Sequence, residues 1–178
     1  MTMFGYNTLG FGSFANRPTL VDYLVVAGAG SGKIGGGGAG GLRSTVNATG
    51  GGGSLESQLS VAAGEQLTVT VGAGGATSQN EGNGTSGNDS VFSTITSVAG
   101  GGAGFAANGQ VGGSGGGGGS AQGDGSKVGG AGTANQGFAG GSSTHASQAG
   151  QADGGGGGGA GAVGANAPEG NGANGGVG

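Results

Sequence analysis

Apolar residues cluster or alternate only in the first 99 positions, and beyond them they stand singly in a field of glycine. Residues 21–27 (VDYLVVA) form a short continuous apolar run of the kind that makes a buried strand. Leu59, Val61 and Ala63 alternate with Ser60 and Ala62, and Leu67, Val69 and Val71 alternate with Thr68 and Thr70. The two stretches flank Gly64 and Glu65, a pattern that predicts a β-hairpin. Residues 90–98 (SVFSTITSV) are rich in β-branched side chains and predict a fourth strand. With Leu55, Phe92 and Ile95 these strands are expected to close a small two-layer β unit. No stretch carries the 3.6-residue period of a helix.

After residue 99 the apolar side chains are Phe105, Val111, Val128, Phe138, Val163 and Val177, widely spaced. Between them lie glycine runs such as 115–119 and 154–159, and small polar segments at 122–127, 133–136 and 142–153. The chain has 57 glycines in 178 residues. Fixing each residue's backbone costs about 1–2 kcal/mol, with glycine at the expensive end, so such runs order only if nearly every N–H and C=O finds a partner. One geometry that allows this is the polyproline II helix, with about 3.1 Å rise, three residues per turn and no internal hydrogen bonds. Its amides point outward, and only glycine permits the close approach of neighbours. Collagen shares that helix but needs glycine at every third position and abundant proline, whereas this chain has two prolines and no such register. The predicted fold is therefore mainly β plus non-regular structure: a small β unit followed by a stack of polyglycine II helices, with essentially no α-helix. The polar insertions are read as its bends and tips.

Three regions follow from composition: an aromatic leader at 1–18, a β-rich unit with glycine turns at 19–99, and the glycine stack at 100–178. The leader holds Phe4, Tyr6, Phe11 and Phe14, too many rings for a free tail, which pack under the next region or dock into a partner protein. Apolar residues amount to 32%, against roughly 45–50% in ordinary domains, so a side-chain core fits in only part of the chain. Four basic residues oppose eight acidic ones without any basic cluster, which speaks against nucleic acid and anionic membranes. No cysteine is present, so disulfides and thiolate metal sites are excluded. The first residues lack the charged and apolar regions of a signal peptide, and no apolar run is long enough to cross a membrane.

Motifs with chemistry are weak. Residues 23–33 resemble a phosphate loop, but Ala27 stands at its first glycine position, Ile34 replaces the metal-binding hydroxyl, and glycines follow where a helix is required. The G-x-G-x-x-G match at residues 30–35 fails for the same lack of a helix. His145, the single histidine, has no nucleophile and acid on a scaffold around it and reads as a polar bend tip. Glu81, Asp89, Asp124, Asp153 and Glu169 are scattered and read as solvated turn positions, with an isolated calcium near Asp124 left open. The sequons at Asn47, Asn83 and Asn88 are explained by composition. No enzyme activity and no cofactor is expected.

The succession VDYLVVAGAGSG, GGGGAGGLRST and GGGGSLESQLSVAAGEQLTVTVGAGGATSQNEGNGTSGNDSVFSTITSVAGGGAG resembles the glycine-rich domain of bacteriophage tail fibre and adhesin proteins, from about Val21 onward. The specific part is the strand set with LTVTVGAGG and NDSVFSTIT. The resemblance implies a virion structural protein whose polyglycine II sandwich displays loops to a host surface protein or glycan. It implies a place in the virion, extracellular after release. The chain departs from the family in lacking a large N-terminal attachment domain, so the leader is expected to serve, with Phe4, Tyr6, Phe11 and Phe14 contacting other virion proteins. Assembly as a homotrimer stays open. Receptor-contact candidates are Phe105, Asn108, Gln110, Lys127, Asn135, Phe138, His145 and Asn166, since exposed rings beside small polar residues suit stacking on a sugar or a protein loop. The alternatives are a purely structural fibre or capsid-decorating subunit, and ice binding, which the irregular insertions with Lys127, His145 and Glu169 argue against.

Overall fold

A computed structural model describes residues 18–77, 82–121, 124–144 and 152–178. Short antiparallel β-sheets dominate its regular structure, and no α-helix occurs among the described residues. In chain order the strands are β1 Thr19–Val21, β2 Leu24–Val26, β3 Leu42–Ser44, β4 Leu59–Val61, β5 Val69–Thr70, β6 Ser90–Phe92, β7 Ile95–Ser97, β8 Gly119–Ser120 and β9 Asp153–Gly154. β1 pairs with β4, β2 with β3 and β8 with β9, while β5, β6 and β7 form a three-stranded sheet.

All four expected strands are rearranged. The apolar run at 21–27 is broken at Asp22 and Tyr23, where the Tyr23 N–H donates to Thr45 Oγ1 (2.9 Å) and the chain passes from the β4 ladder to the β3 ladder. Beyond the break, burial alternates, with Tyr23, Val25 and Ala27 inside and Leu24 and Val26 outside, so the run is covered on one face only. The turn at 62–65 forms, with the Glu65 N–H on Ala62 O (3.1 Å) and Gly64 at φ 82°. Its two arms nonetheless pair apart, β4 with β1 and β5 with β6. A two-residue alternation specifies a face, not a partner, so the hairpin expectation had no means of choosing. The strand at 90–98 is itself a tight hairpin, turned at Ser93 (φ 55°) so that Phe92 opposes Ile95.

The side-chain core is small. Tyr23, Val25 and Ile95 are buried with Leu59 and Phe92 against them, and the Tyr23 and Phe92 rings lie 6.2 Å apart at 55°. Leu55, expected in this core, is exposed.

The remaining mass consists of extended glycine-rich segments running back and forth. Residues 27–31 leave β2 and 35–41 return to β3; 72–76 leave β5 and 84–88 return to β6; 99–104 leave β7. Five segments follow at 107–112, 113–120, 127–133, 137–143 and 153–159, and two more at 162–167 and 172–178. Segments from before and after residue 99 share one hydrogen-bond network, as in Gly38 N–H to Gly101 O (2.9 Å) and Gly87 N–H to Gly100 O (3.0 Å).

Residues 113–120 lie at the centre, every one buried. The N–H groups of Gly115 and Gly118 donate to Phe138 and Gly141, and those of Gly116 and Gly119 to Gln110 and Ala107. Gly117 donates to Gly36 (2.7 Å). The carbonyls of Gly113 and Gly116 accept from Thr133 and Gly130, those of Ser114 and Gly117 from Gly101 and Gly104, and those of Gly115 and Gly118 from Gly158 and Gly155. The partner segment recurs every third residue, and the partners surround the segment, whereas a β-strand addresses two neighbours in one plane. Ser114 and Ser120 are accommodated in this segment, but at Gly117 glycine is obligatory, since a Cβ there would overlap the Gly155 carbonyl oxygen, as one on Gly157 in the neighbouring segment would overlap that of Gly37.

Candidate functional site

The connectivity sorts the chain reversals to two ends. At the β-unit end are the reversals at 133–137 and 160–162, tied down by Leu42 N–H to Gln136 O and Gly51 N–H to Ala160 O, both 2.8 Å. At the opposite, distal end are those at 32–34, 105–106 and 168–171, together with residues 124–126, which the glycine segments reach by running away from the strands. This distal end is the candidate site.

Its chemistry is aromatic and amide-rich with charges of both signs, Lys33 and Lys127 at the same end as Asp124 and Glu169. The Lys33 ammonium lies 5.8 Å from the centroid of the Phe105 ring, within cation–π range, and the Phe105 N–H donates to Asn83 Oδ1 (2.8 Å). Lys127 is fixed through its main chain, donating to Ser143 Oγ (3.0 Å) and accepting from Ser143 N–H (2.8 Å). The reversal at 168–171 is anchored by Asp153, whose carboxylate accepts from Gly170 N–H (2.5 Å) and from the Thr144 hydroxyl (3.1 Å). Asp153 is completely buried, which corrects its reading as a solvated turn residue. Charge-assisted bonds to a loop N–H and a hydroxyl are what make that burial tolerable.

Several candidate contact residues prove to hold the chain together. Asn108 Oδ1 accepts from Val128 N–H (2.9 Å) and Asn166 Oδ1 from Ser142 N–H (2.8 Å), so each side chain extends the main-chain pattern where a segment runs out. Gln110 uses both ends of its amide internally, donating to Gly84 O (3.0 Å) and accepting from the Ser86 hydroxyl (2.7 Å). Asn135 and Phe138 lie at the β-unit end, where Asn135 (φ 60°) sits against Gly53 and the Phe138 ring approaches Gly52. The distal end thus brings together Phe105, Asn108, Lys127 and Asn166. His145 and the leader rings Phe4, Tyr6, Phe11 and Phe14 lie outside the described residues.

Sequence reasoning missed Lys33 as a partner of Phe105, having met it only as a failed phosphate loop. It also missed a cluster in the β unit. Arg43 grips Glu56 with Nε and Nη2, both at 2.7 Å, and donates through Nη1 to Thr96 O (3.1 Å), while the Tyr23 hydroxyl donates to Glu56 Oε2 (2.7 Å). Burial, reinforced by the hydrogen bond to Glu56, pushes Tyr23 up to about 12. The Arg43 hydrogen bonds hold the Glu56 carboxyl below its ordinary value. The scarcity of cations was the available signal, because residues 19–99 hold only Lys33 and Arg43 as basic residues against five acidic ones.

No family model, curated protein or solved structure matches the chain. Among the described residues no group of three or more His, Cys, Asp or Glu side chains could hold a metal ion, and no helix is long and apolar enough to cross a membrane.

Proposed function

We propose that the chain is a phage virion protein, a tail fibre or adhesin element, in which a stack of polyglycine II helices carries the distal reversals to a host surface protein or glycan. The single observation that supports this most is the three-residue recurrence of partners along residues 113–120, with neighbours on all sides. That recurrence suits a three-residue helix, with a β-ladder confined to Gly119 and Ser120. A scaffold joined by main-chain bonds places no side-chain demands on its reversals, so those can vary to suit a receptor without repacking a core. The β unit stands at the other end and is the side for attachment to other virion proteins.

Particles carrying Phe105→Ser together with Lys127→Ser should assemble normally and lose adsorption to host cells at least tenfold. Asn135→Ser, at the β-unit end, should leave adsorption unchanged. Wild-type adsorption by the distal variant would sink the receptor role. A purely structural reading then stands in its place, favoured by the internal engagement of Asn108, Gln110 and Asn166.

A further inference from the structure

A cleft of about 290 Å³ opens between β2 and the strands β5 and β6, lined by Asp22–Val26, residues 69–71 and residues 90–92. Its rim is apolar and bare: Leu24 is 64% exposed, Val69 67% and Val71 85%. Ordinary surfaces scatter such side chains singly, and a contiguous group around a concave site marks something that binds there. Tyr23 and Phe92 meet in the tilted geometry to which a further ring adds naturally. The core beneath is also short of material, with only Tyr23, Val25 and Ile95 as large buried apolar side chains among the described residues.

We infer that this cleft takes aromatic side chains of the chain's own leader, residues 1–17. The length of chain ahead of Pro18 and its point of departure argue for that occupant. The leader joins β1 at Thr19, three residues before Asp22 on the cleft wall. Seventeen residues reach about 55 Å when extended, far more than the return demands. Gly10 and Gly12 supply points of reversal between Tyr6 and the pair Phe11 and Phe14. Each ring brings roughly 150–250 Å² of surface to cover. A tethered ring is presented at an effective concentration on the order of millimolar, which favours it over a free partner. Leader and β unit then form one block at the end away from the distal reversals.

The chain has no tryptophan, so Phe4→Trp, Phe11→Trp and Phe14→Trp, made singly in the full chain, each give a unique reporter. At least one should emit to the blue of free indole and resist acrylamide quenching several-fold, independently of protein concentration. Adding Val71→Lys, a change at the most exposed rim position, should return that emission to the free value while amide exchange of residues 113–120 stays slow. Solvent-like emission at all three positions overturns the inference, as does a blue shift that Val71→Lys leaves intact. A shift that grows with protein concentration also overturns it, in favour of the leader of a second copy.

Discussion

The β unit and the glycine segments solve the same problem by opposite means. In the β unit a few large side chains, Tyr23, Val25 and Ile95, leave water together, and the short ladders around them need only be compatible with that cluster. In the glycine segments nothing large is buried. Residues 113–120 are held by main-chain bonds in every direction, and at their six glycines the missing Cβ atoms are what let the neighbours approach. Tolerance to substitution should therefore invert between the two regions. The smallest possible enlargement is the worst insult to one, while truncation is the worst insult to the other.

The sharpest way to break that contrast is Gly117→Ala. The added methyl meets the Gly155 carbonyl, and with backbone on every side neither segment can yield without losing bonds of its own. It should destabilise by about 3 kcal/mol or more, read as the fall in thermal midpoint and faster amide exchange at residues 113–120. Next in size is Ile95→Ala, a cavity beside Tyr23 and Val25, expected to cost about 2 to 3 kcal/mol by denaturant unfolding.

Tyr23→Phe keeps the ring and removes one hydrogen bond to a carboxylate, for a loss of about 1.5 kcal/mol. This cluster also sets two limits on pH. The folded Glu56 value lies below the ordinary carboxylate range, so its contribution is complete above that range and is lost as pH falls through the depressed value. Tyr23 is raised from 10.0 to about 12, so its contribution is complete below 10 and is lost as pH rises through about 12. Thermal midpoints measured against pH should show a plateau with a fall on each side, and Tyr23→Phe should remove the alkaline fall. An alkaline fall that persists in the variant would assign it elsewhere.

The smallest effect has the opposite sign. Gly172 has nothing within 4 Å of where its Cβ would stand, so Gly172→Ala should be neutral or stabilise by about 0.5 kcal/mol through the unfolded chain. Set beside Gly117→Ala, it separates glycine needed for contact from glycine that is merely present. Equal losses at both positions would mean that the close approach of backbones is not what holds the segments.

Much of the coarse architecture was readable from the chain. Strand-forming stretches before residue 99 and the absence of α-helix among the described residues follow from short alternating apolar runs bounded by glycine. Partner choice was not readable. Residues 59–63 and 67–71 look like two arms of one hairpin, yet each finds a different strand, because the energetic decision lies in covering Tyr23 and Phe92 rather than in the turn between the arms. The distal end was not legible: of the polar insertions read as bends, 133–136 turns at the β-unit end, while 122–123 and 145–151 lie outside the described residues, and residue roles were not legible either. Asn108, Gln110 and Asn166 look like display residues in sequence and serve as hydrogen-bond caps in space. Lys33 and Phe105 come together across 72 positions of chain, a pairing that no local pattern encodes.

What the chain by itself determined was a shortage: too few large apolar side chains for a full core and too many glycines for any fold that leaves amides unpaired. That much follows from composition, since each residue carries the same donor and acceptor whatever its order. Which amide meets which was decided only by the tertiary arrangement, because glycine has no side chain with which to prefer one neighbour over another. Register came instead from the sparse residues at segment ends, Asn83, Asn108, Gln136, Asp153 and Asn166, whose side chains reach one particular N–H each or, for Asp153, one N–H and one hydroxyl.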